Sequence, residues 1–223
     1  MSLQIISLKK TYVQGAEKLV ILNQLNMQVN TSELVAVVGA SGSGKSTFLS
    51  LVAGLDHFDD GDILINNQSI KNLNSQQMTK FRAQNIGFVF QQFHLIQHLT
   101  AFENLELPLE ILGRPYLKAD IELALDNVGL AHRAGHKPTE LSGGECQRLA
   151  LARGLITKPS LLLADEPSGN LDSETGERVM KLFFEQVRAT RTTTVLVTHD
   201  LELAKKCDRI FVLKNGHFDS NPA

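Results

Sequence analysis

The residues with the clearest chemical potential are a lysine and a serine that close a glycine-rich stretch, GASGSGKST, at residues 39–47. An apolar, β-branched run at 34–38 precedes this stretch, and a helix-like segment at 45–54 follows it. The strand–loop–helix order is the context that the phosphate-binding pattern G-x-x-x-x-G-K-[ST] requires. Glycines let backbone N–H groups approach phosphate oxygens closely, and the helix adds its positive N-terminal end. A flexible Gly/Ser linker is the alternative interpretation, which the filled motif and the preceding strand disfavour.

Two side chains of this loop have distinct predicted tasks. Lys45 supplies a full positive charge to the β- and γ-phosphates of a nucleotide, and the Ser46 hydroxyl is placed to bind Mg²⁺. The predicted nucleotide contacts of the stretch are Gly39, Ser41, Gly42, Ser43, Gly44, Lys45, Ser46 and Thr47.

Two adjacent carboxylates, Asp165 and Glu166, follow an apolar run at 161–164 that has the pattern of a buried strand. Open α/β sheets bind ligands at the carboxyl ends of their strands, so these side chains are expected beside the phosphate loop. Asp165 is predicted to hold Mg²⁺ and Glu166 to polarise an attacking water. A solvated acidic turn is the alternative, and the presence of a phosphate loop disfavours it.

A second candidate anion site lies at 141–148, where Ser142 is a good helix N-cap and Glu145 follows three residues later, as in a capping box. A well-capped helix accounts for those two residues but does not need Gly143 or Gly144. The glycines are expected to expose N–H groups at a helix N-terminus, which binds anions. A single nucleotide at the phosphate loop leaves this site unused, which suggests that it binds a phosphate held by another copy of the chain.

The composition narrows the class of protein. A length of 223 residues with 43% apolar content fits a single globular domain, residues 1–223. The formal charge of −2 and the lack of a basic stripe predict no nucleic-acid partner. Cys146 and Cys207 lack metal-type spacing and fit a reduced, cytosolic chain. The longest apolar runs, about five residues, are too short to span a bilayer, so any membrane role is expected to come through a partner.

The order of predicted elements indicates an α/β fold with a mainly parallel sheet, because strand and helix patterns alternate along much of the chain. Residues 3–13 and 19–29 alternate as two strands around Gly15, which predicts an N-terminal antiparallel β subdomain. The alternation stops between 91 and 157. This interruption predicts a mainly helical subdomain at about 91–157, inserted into a core of about 1–90 and 158–223.

Six ordered motifs resemble the nucleotide-binding domain of ATP-binding-cassette (ABC) transporters over essentially the whole chain: GASGSGKST, FVFQQ, LSGGE, LLLADE, SGNLD and VTHD. The resemblance implies a P-loop NTPase fold, ATP and Mg²⁺ as ligands, and hydrolysis of ATP to ADP and phosphate coupled to transport. It also implies that Lys45 and the glycines of the loop bind the ATP phosphates, with Lys45 taking part in catalysis.

The same resemblance assigns the remaining residues of the nucleotide site. It implies that Ser46 and Gln91 coordinate Mg²⁺, with Asp165 in the outer shell of the metal. Glu166 becomes the catalytic base, and His199 the histidine that contacts the γ-phosphate. Taken alone, a histidine after an apolar strand is more often structural, so this role depends on the motifs around it.

Several further roles come from the resemblance alone. The sequence by itself favours an ordinary strand-edge aromatic at Tyr12, whereas the resemblance implies that Tyr12 stacks on adenine. Ser142, Gly143 and Gly144 would close over the γ-phosphate of a second copy, in an ATP-dependent homodimer. Asp172 would belong to the loop that communicates across that dimer.

An apolar segment follows the FVFQQ motif, with Phe93, Leu95, Leu99 and Phe102 as its main side chains. These residues indicate either packing in a satellite core or the groove in which the family receives a membrane subunit. The resemblance implies that an integral membrane subunit docks near residues 91–112. The chain is therefore expected on the cytoplasmic side of the inner membrane, held there through that subunit.

Local runs at 127–133, 136–141, 164–172 and 198–205 narrow the resemblance to ATPases of bacterial lipoprotein-releasing systems, and secondarily to those of macrolide-efflux and related exporters. A soluble ABC-type ATPase acting on nucleic acid or ribosomes is an alternative from another class. The lack of a second cassette and of a long coiled-coil insertion disfavours it. A small-molecule kinase is a third alternative, which would leave the LSGGE motif without a task.

Overall fold

The computed structural model describes residues 2–15, 17–113 and 115–219. Its strands are β1 (Leu3–Gln14), β2 (Glu17–Val29), β3 (Leu34–Val38), β4 (Asp60–Ile65), β5 (Gln68–Ser69), β6 (Ile86–Val89), β7 (Leu161–Asp165), β8 (Thr193–Val197), β9 (Arg209–Lys214) and β10 (His217–Phe218). Its helices are α1 (Lys45–Val52), α2 (Ser75–Asn85), α3 (Ala101–Leu112), α4 (Lys118–Asn127), α5 (Gly143–Ile156), α6 (Ser173–Thr190) and α7 (Leu201–Ala204). Short 3-10 turns at Ala131–Arg133 and Pro138–Glu140 lie between α4 and α5.

The described strands form two sheets. The first is antiparallel and has the order β2-β1-β4-β5. The second has the order β10-β9-β3-β8-β7-β6, and all its neighbours run parallel except β10 and β9. These sheets confirm the predicted mainly parallel core and the predicted antiparallel pairing of the first two strands.

Strand β3 shows why the central strands are apolar at every position. All five of its residues are buried. Val35 and Val37 join a hydrophobic cluster with Phe48, whereas Ala36 and Val38 join a cluster with α7 on the other face of the sheet. Because successive side chains of a strand point to opposite faces, a sheet covered on both faces needs apolar residues throughout.

Helix α1 lies between the two sheets. Phe48, Leu49, Leu51 and Val52 are buried in the same cluster as residues from strands of both sheets. This burial fixes the helix axis, so the N-terminus of α1 and the loop before it stay at the carboxyl end of β3. Ligands bind at that edge in open α/β sheets.

Between β6 and β7 the described residues form helices and loops, with no strand. Helices α3, α4 and α5 pack around a separate cluster that includes Leu105, Ile121 and Leu149. Leu151 packs instead into the cluster beneath the parallel sheet, so α5 connects the helical part to the core. The division of the chain near residues 91 and 157 stays a prediction. No helix within the described ranges is long and apolar enough to cross a membrane.

Two polar side chains hold the loop that leads into α3. The buried Asn104 side chain accepts a hydrogen bond from the Ile96 N–H at 2.9 Å and donates to the Ile96 carbonyl at 3.1 Å. Arg153 donates to the Phe93 carbonyl at 2.8 Å. These bonds draw the loop inward, and Leu95 is buried in the helical cluster. Of the two alternatives that the sequence left open for this segment, Leu95 fits packing in a satellite core.

Replacing Phe48 with alanine is expected to lower the free energy of unfolding by about 3–5 kcal/mol, because it opens a cavity between the two sheets. Urea titration measures the change. The matched control is Leu55→Ala, since Leu55 is 54% exposed and Phe48 is fully buried. We expect the control to change stability by about 0.5 kcal/mol or less. Equal losses in the two variants would contradict the central position of α1.

Candidate active site

A cleft of about 580 Å³ opens where the phosphate loop meets the carboxyl ends of the parallel strands. It brings together residues from the loop, from the end of β6, from the end of β7 and from the segment after β8. The lining residues are Ile21, Ser41, Gly42, Gly44, Lys45, Ser46, Thr47, Gln91, Asp165, Glu166 and His199. Most of the site residues predicted for one copy of the chain therefore meet in one place.

Close backbone contacts explain two glycines of the phosphate loop. Gly44 has a φ of 98°, in the left-handed region that favours glycine, and a Cβ there would lie 2.8 Å from Ile21 Cγ2. At Gly39 a Cβ would lie 2.4 Å from the Leu213 carbonyl oxygen. The loop is thus pressed against β2 on one side and β9 on the other.

Ser43 differs from its neighbours because it faces the interior of the loop. Its N–H donates to the Ala40 carbonyl at 3.1 Å, and its hydroxyl is buried without a hydrogen-bond partner in the described residues. Gly39 and Ser43 do not line the cleft. Their predicted contacts with a nucleotide stay predictions.

Lys45 is nearly buried, at 7% exposure. Its ammonium donates hydrogen bonds to the carbonyls of Gly39 at 2.8 Å and Ala40 at 3.0 Å. These two bonds hold the positive charge inside the loop. An incoming phosphate finds this charge already placed beside the N-terminus of α1.

Asp165 ends strand β7 and is partly buried. Burial raises the pKa of its carboxyl group, and a hydrogen bond from Ser46 and the charge of Lys45 partly oppose that rise. The Ser46 hydroxyl and the Asp165 carboxylate therefore lie together at the floor of the cleft. Gln91 also lines the cleft, and its amide nitrogen donates to Asn170 Oδ1 at 3.1 Å, a bond that leaves the amide oxygen available.

Glu166 and His199 form a directly bonded pair. His199 Nδ1 lies 3.0 Å from Glu166 Oε2. Glu166 has a φ of 42°, an uncommon conformation for a residue other than glycine. Its N–H donates to the Val197 carbonyl at 2.9 Å, which fixes this conformation against β8. Strained backbone of this kind occurs often at functional sites, where neighbouring structure holds it in place.

The LSGGE segment begins α5 with the predicted capping box. The Ser142 hydroxyl accepts a hydrogen bond from the Glu145 N–H at 3.3 Å, and Glu145 accepts one from the Ser142 N–H at 2.8 Å. Gly144 is buried, and a Cβ there would lie 2.5 Å from Thr175 Cγ2. Packing of α5 against α6 therefore requires this glycine, which the sequence analysis had attributed to N–H exposure alone.

None of Ser142, Gly143 and Gly144 lines the cleft. Asp172 also lies outside it and caps α6, where its carboxylate accepts a hydrogen bond from the Thr175 N–H at 3.0 Å. This bond, together with further contacts at the cap, lowers the pKa of Asp172. The four residues predicted to act across a dimer are thus separate from the phosphate loop of their own chain.

Tyr12 is held by two charged neighbours. Its hydroxyl donates to Asp56 Oδ2 at 2.7 Å, and the Lys10 ammonium lies 4.6 Å from the centre of its ring. Lys10 and Asp56 are also paired with each other at 2.9 Å. The hydrogen bond to Asp56 is the largest cause of the raised pKa of Tyr12. A hydrogen bond with Thr47 lowers that pKa and so opposes part of the rise. Tyr12 is thus fixed beside the start of α1.

Two residues of this region were missed from the sequence. Ile21 lines the cleft from the middle of β2 and looks like an ordinary strand residue in the sequence. Asp56 lies 44 positions after Tyr12, in a segment for which no helix or strand was predicted. The one indication in the sequence was that Asp56 is an acidic residue shortly after Gly54, the last residue of the helix-like segment at 45–54.

Replacing Asp56 with alanine is expected to lower the pKa of Tyr12, because it removes the largest cause of the raised value. The measurement is a spectrophotometric pH titration in a Tyr116→Phe background. Since the chain has two tyrosines and no tryptophan, phenolate absorbance then reports Tyr12 alone. Asp59→Ala is the control, and its smaller charge effect on Tyr12 should give a smaller change. Equal pKa values in the parent and in D56A would contradict the hydrogen bond.

Known proteins of one family are similar to this chain along nearly its whole length. The ABC transporter family model matches residues 22–169. The lipoprotein-releasing system ATP-binding protein LolD of Colwellia psychrerythraea is 48% identical, over 96% of this chain and 84% of its own length. The uncharacterized ABC transporter ATP-binding protein YbbA of Escherichia coli K12 is 44% identical, over 94% of this chain and 92% of its own.

The solved structures agree with the sequence comparison. A dimeric, post-hydrolysis structure of the ATP-binding cassette MJ0796, bound to ADP and phosphate, matches with a TM-score of 0.88 at 39% identity. The match covers 97% of this chain and 96% of that one. The predicted family, the P-loop NTPase fold and the ATPase activity are confirmed. This chain belongs to the ABC transporter family and is an ATP-binding, ATP-hydrolysing domain of it.

Proposed function

We propose that this chain powers a bacterial ABC transporter of the lipoprotein-releasing type by dimerising around two ATP molecules. The observation that supports a dimer is that the two predicted parts of the ATP site lie apart from each other in one chain. Lys45, Glu166 and His199 lie in the cleft, whereas Ser142 and Gly143 lie outside it. In a head-to-tail dimer, the second half-site of one copy completes the cleft of the other. Two structures of the MJ0796 cassette are dimeric, which supports this arrangement.

The bonded pair in the cleft fits the hydrolysis step. Glu166 is the general base that takes a proton from the attacking water, a task worth about 10²–10⁴ in rate. The bond from His199 orients this carboxylate, and the exposed ring of His199 can reach the γ-phosphate. Lys45 offsets the negative charge that the phosphates bring into the loop.

Mg²⁺ fits the oxygen donors on the floor of the cleft. Ser46, Gln91 and Asp165 offer a hydroxyl, an amide oxygen and one carboxylate, and Mg²⁺ at nucleotide sites takes one or two protein oxygens together with phosphates and waters. Within the described residues no cluster of three histidine, cysteine or acidic side chains could bind a metal without the nucleotide. When bound with ATP, the ion neutralises charge on the β- and γ-phosphates.

An apolar groove is the proposed docking site for the membrane subunit. It measures about 390 Å³ and lies between the end of α2, β6 and α3. Phe90, Ile96, Leu107, Pro108 and Ile111 are among its lining residues. Part of the lining, from His94 to Ile111, overlaps the predicted docking region near residues 91–112, but the predicted contacts do not line the groove: Phe93, Leu95, Leu99 and Phe102. Docking there holds the chain at the cytoplasmic face of the inner membrane, with no role for nucleic acid.

The similarity to LolD favours lipoprotein release as the transported process. YbbA, an uncharacterized ABC transporter ATP-binding protein at 44% identity, specifies no substrate. The local sequence runs keep an exporter of the macrolide-efflux-like group as the second candidate. Reconstitution of this chain with the membrane subunit that co-purifies with it separates the two candidates. A subunit with four spanning segments fits both candidates, and reconstituted release of lipoprotein from vesicles supports only the first.

Glu166→Gln is expected to lower ATP turnover by about 10²–10⁴ while leaving ATP binding intact. With ATP this variant should elute from gel filtration as a dimer, because the sandwich forms but does not reopen. The control is Glu166→Gln combined with Lys45→Ala, which should remain monomeric since the phosphates lose their positive partner. A monomeric E166Q protein at saturating ATP would contradict the proposed dimer.

Ile111→Glu is expected to weaken attachment to membranes without changing basal ATP turnover, since it places a charge in the docking groove, where Ile111 is 64% exposed. The measurement is binding of each purified variant to inner-membrane vesicles from cells that express the chain, after peripheral proteins are stripped. Leu123→Glu is the matched control, because Leu123 is 60% exposed but lies outside this groove. Equal binding by both variants would locate the docking site elsewhere.

A further inference from the structure

Glu145 places a negative charge in the first turn of α5, beside the proposed site for a γ-phosphate. Its carboxylate accepts the Ser142 N–H at 2.8 Å. A capping box works with either glutamate or glutamine at this position, so the cap itself does not need the charge. The first N–H groups of a helix, here those of Gly143 and Gly144, have no partner within the helix. Gly143 is exposed and Gly144 is buried, so the Gly143 N–H is the group that would meet a phosphate.

The charge of Glu145 has opposite effects on the helix and on the phosphate. A carboxylate in the first turn stabilises an isolated helix through the dipole. Against a polyphosphate the same charge is repulsive, and in a closed dimer the repulsion is less screened by water than in the open monomer. The hydrogen bond from the Ser142 N–H, followed by the Ser142 hydroxyl and Arg133, lowers the pKa of Glu145. The carboxylate therefore stays ionised at neutral pH.

Arg133 lies against this carboxylate. Arg133 Nε is 3.1 Å from Glu145 Oε1, and its NH1 atom is 3.2 Å from His136 Nε2. The side chains of Arg133 and Glu145 are 36% and 15% exposed, so the pair is partly withdrawn from solvent. The segment that carries the arginine is tied to the start of α3, where the Ala101 N–H donates to the His136 carbonyl at 2.8 Å.

We infer that Arg133 is a positioning residue for the ATP-dependent dimer: it compensates the charge of Glu145, so that the N-terminus of α5 can accept the γ-phosphate held by a second copy. The inference rests on the proposed function. The Ser142 hydroxyl oxygen accepts the Glu145 N–H at 3.3 Å, which holds Ser142 at the start of α5. Arg133 thus acts through Glu145 without contacting the nucleotide.

The test uses the full chain in the Glu166→Gln background, with gel filtration over a range of ATP concentrations. Arg133→Ala should raise the ATP concentration for half-maximal dimerisation by about tenfold or more, because an unpaired carboxylate then faces the phosphate. Adding Glu145→Gln should restore dimerisation to within about twofold of the parent, since glutamine keeps the cap and removes the charge. Glu145→Gln alone should dimerise at least as well as the parent.

Arg178→Ala is the matched control, because Arg178 pairs with Glu174 at the surface of α6 with both side chains 76% exposed. Losing that pair should leave dimerisation unchanged. ATP binding to monomeric Arg133→Ala, measured by equilibrium dialysis, should equal that of the parent, which shows that the variant is folded.

Two results would overturn the inference while leaving the proposed function intact. The first is dimerisation of Arg133→Ala at the same ATP concentration as the parent. The second is a double variant as defective as Arg133→Ala alone, which would assign Arg133 a role unrelated to the charge of Glu145. Failure of the Glu166→Gln parent to dimerise would instead overturn the proposed function, and the inference with it.

Discussion

The burial of α1 between two sheets is the constraint on which the rest of the site depends. Phe48 and its neighbours anchor the helix to strands of both sheets, so its N-terminus cannot move relative to the end of β3. That fixed N-terminus, together with Lys45, makes an anion site from backbone geometry and one charge. Since β7 runs parallel to β3 in the same sheet, its carboxyl end delivers Asp165 and Glu166 to the same edge. The placement of these two carboxylates beside the phosphate loop therefore follows from strand direction.

Electrostatics supports the proposal that one chain holds only part of an ATP site. The cleft gathers three acidic or metal-binding side chains, Gln91, Asp165 and Glu166, around a single buried ammonium. A bound triphosphate adds further negative charge, and additional hydrogen-bond donors are needed to stabilise it. The N–H groups that begin α5 are suited to this task but lie outside the cleft. We propose that a second copy supplies them, and that the charge balance at Glu145 and Arg133 decides how well they do so.

Much of this could be predicted from local sequence, and the exceptions share a physical cause. Alternation and buried runs predicted β1, β2, β3 and β7, because strand periodicity depends on nearby residues alone. The phosphate loop and the capping box could also be predicted, because each depends on residues that are close together in the sequence. Contacts between distant segments were not predictable: Asp56 reaches Tyr12 across 44 positions, and Gly144 meets Thr175 on another helix. The sequence could not decide between the core and a partner for Leu95, because an apolar loop residue fits either surrounding.

The central claim is that each catalytic site is built from two copies of the chain, and subunit complementation tests it most directly. One variant carries Lys45→Ala, which disables its own cleft but keeps α5. The other carries Gly143→Asp, whose carboxylate repels phosphate but suits a helix N-terminus. The account predicts that each variant alone lacks ATP turnover and that mixing them restores part of it, because half the sites in mixed dimers can combine an intact cleft with an intact α5. A mixture that stays as inactive as its components would contradict the account.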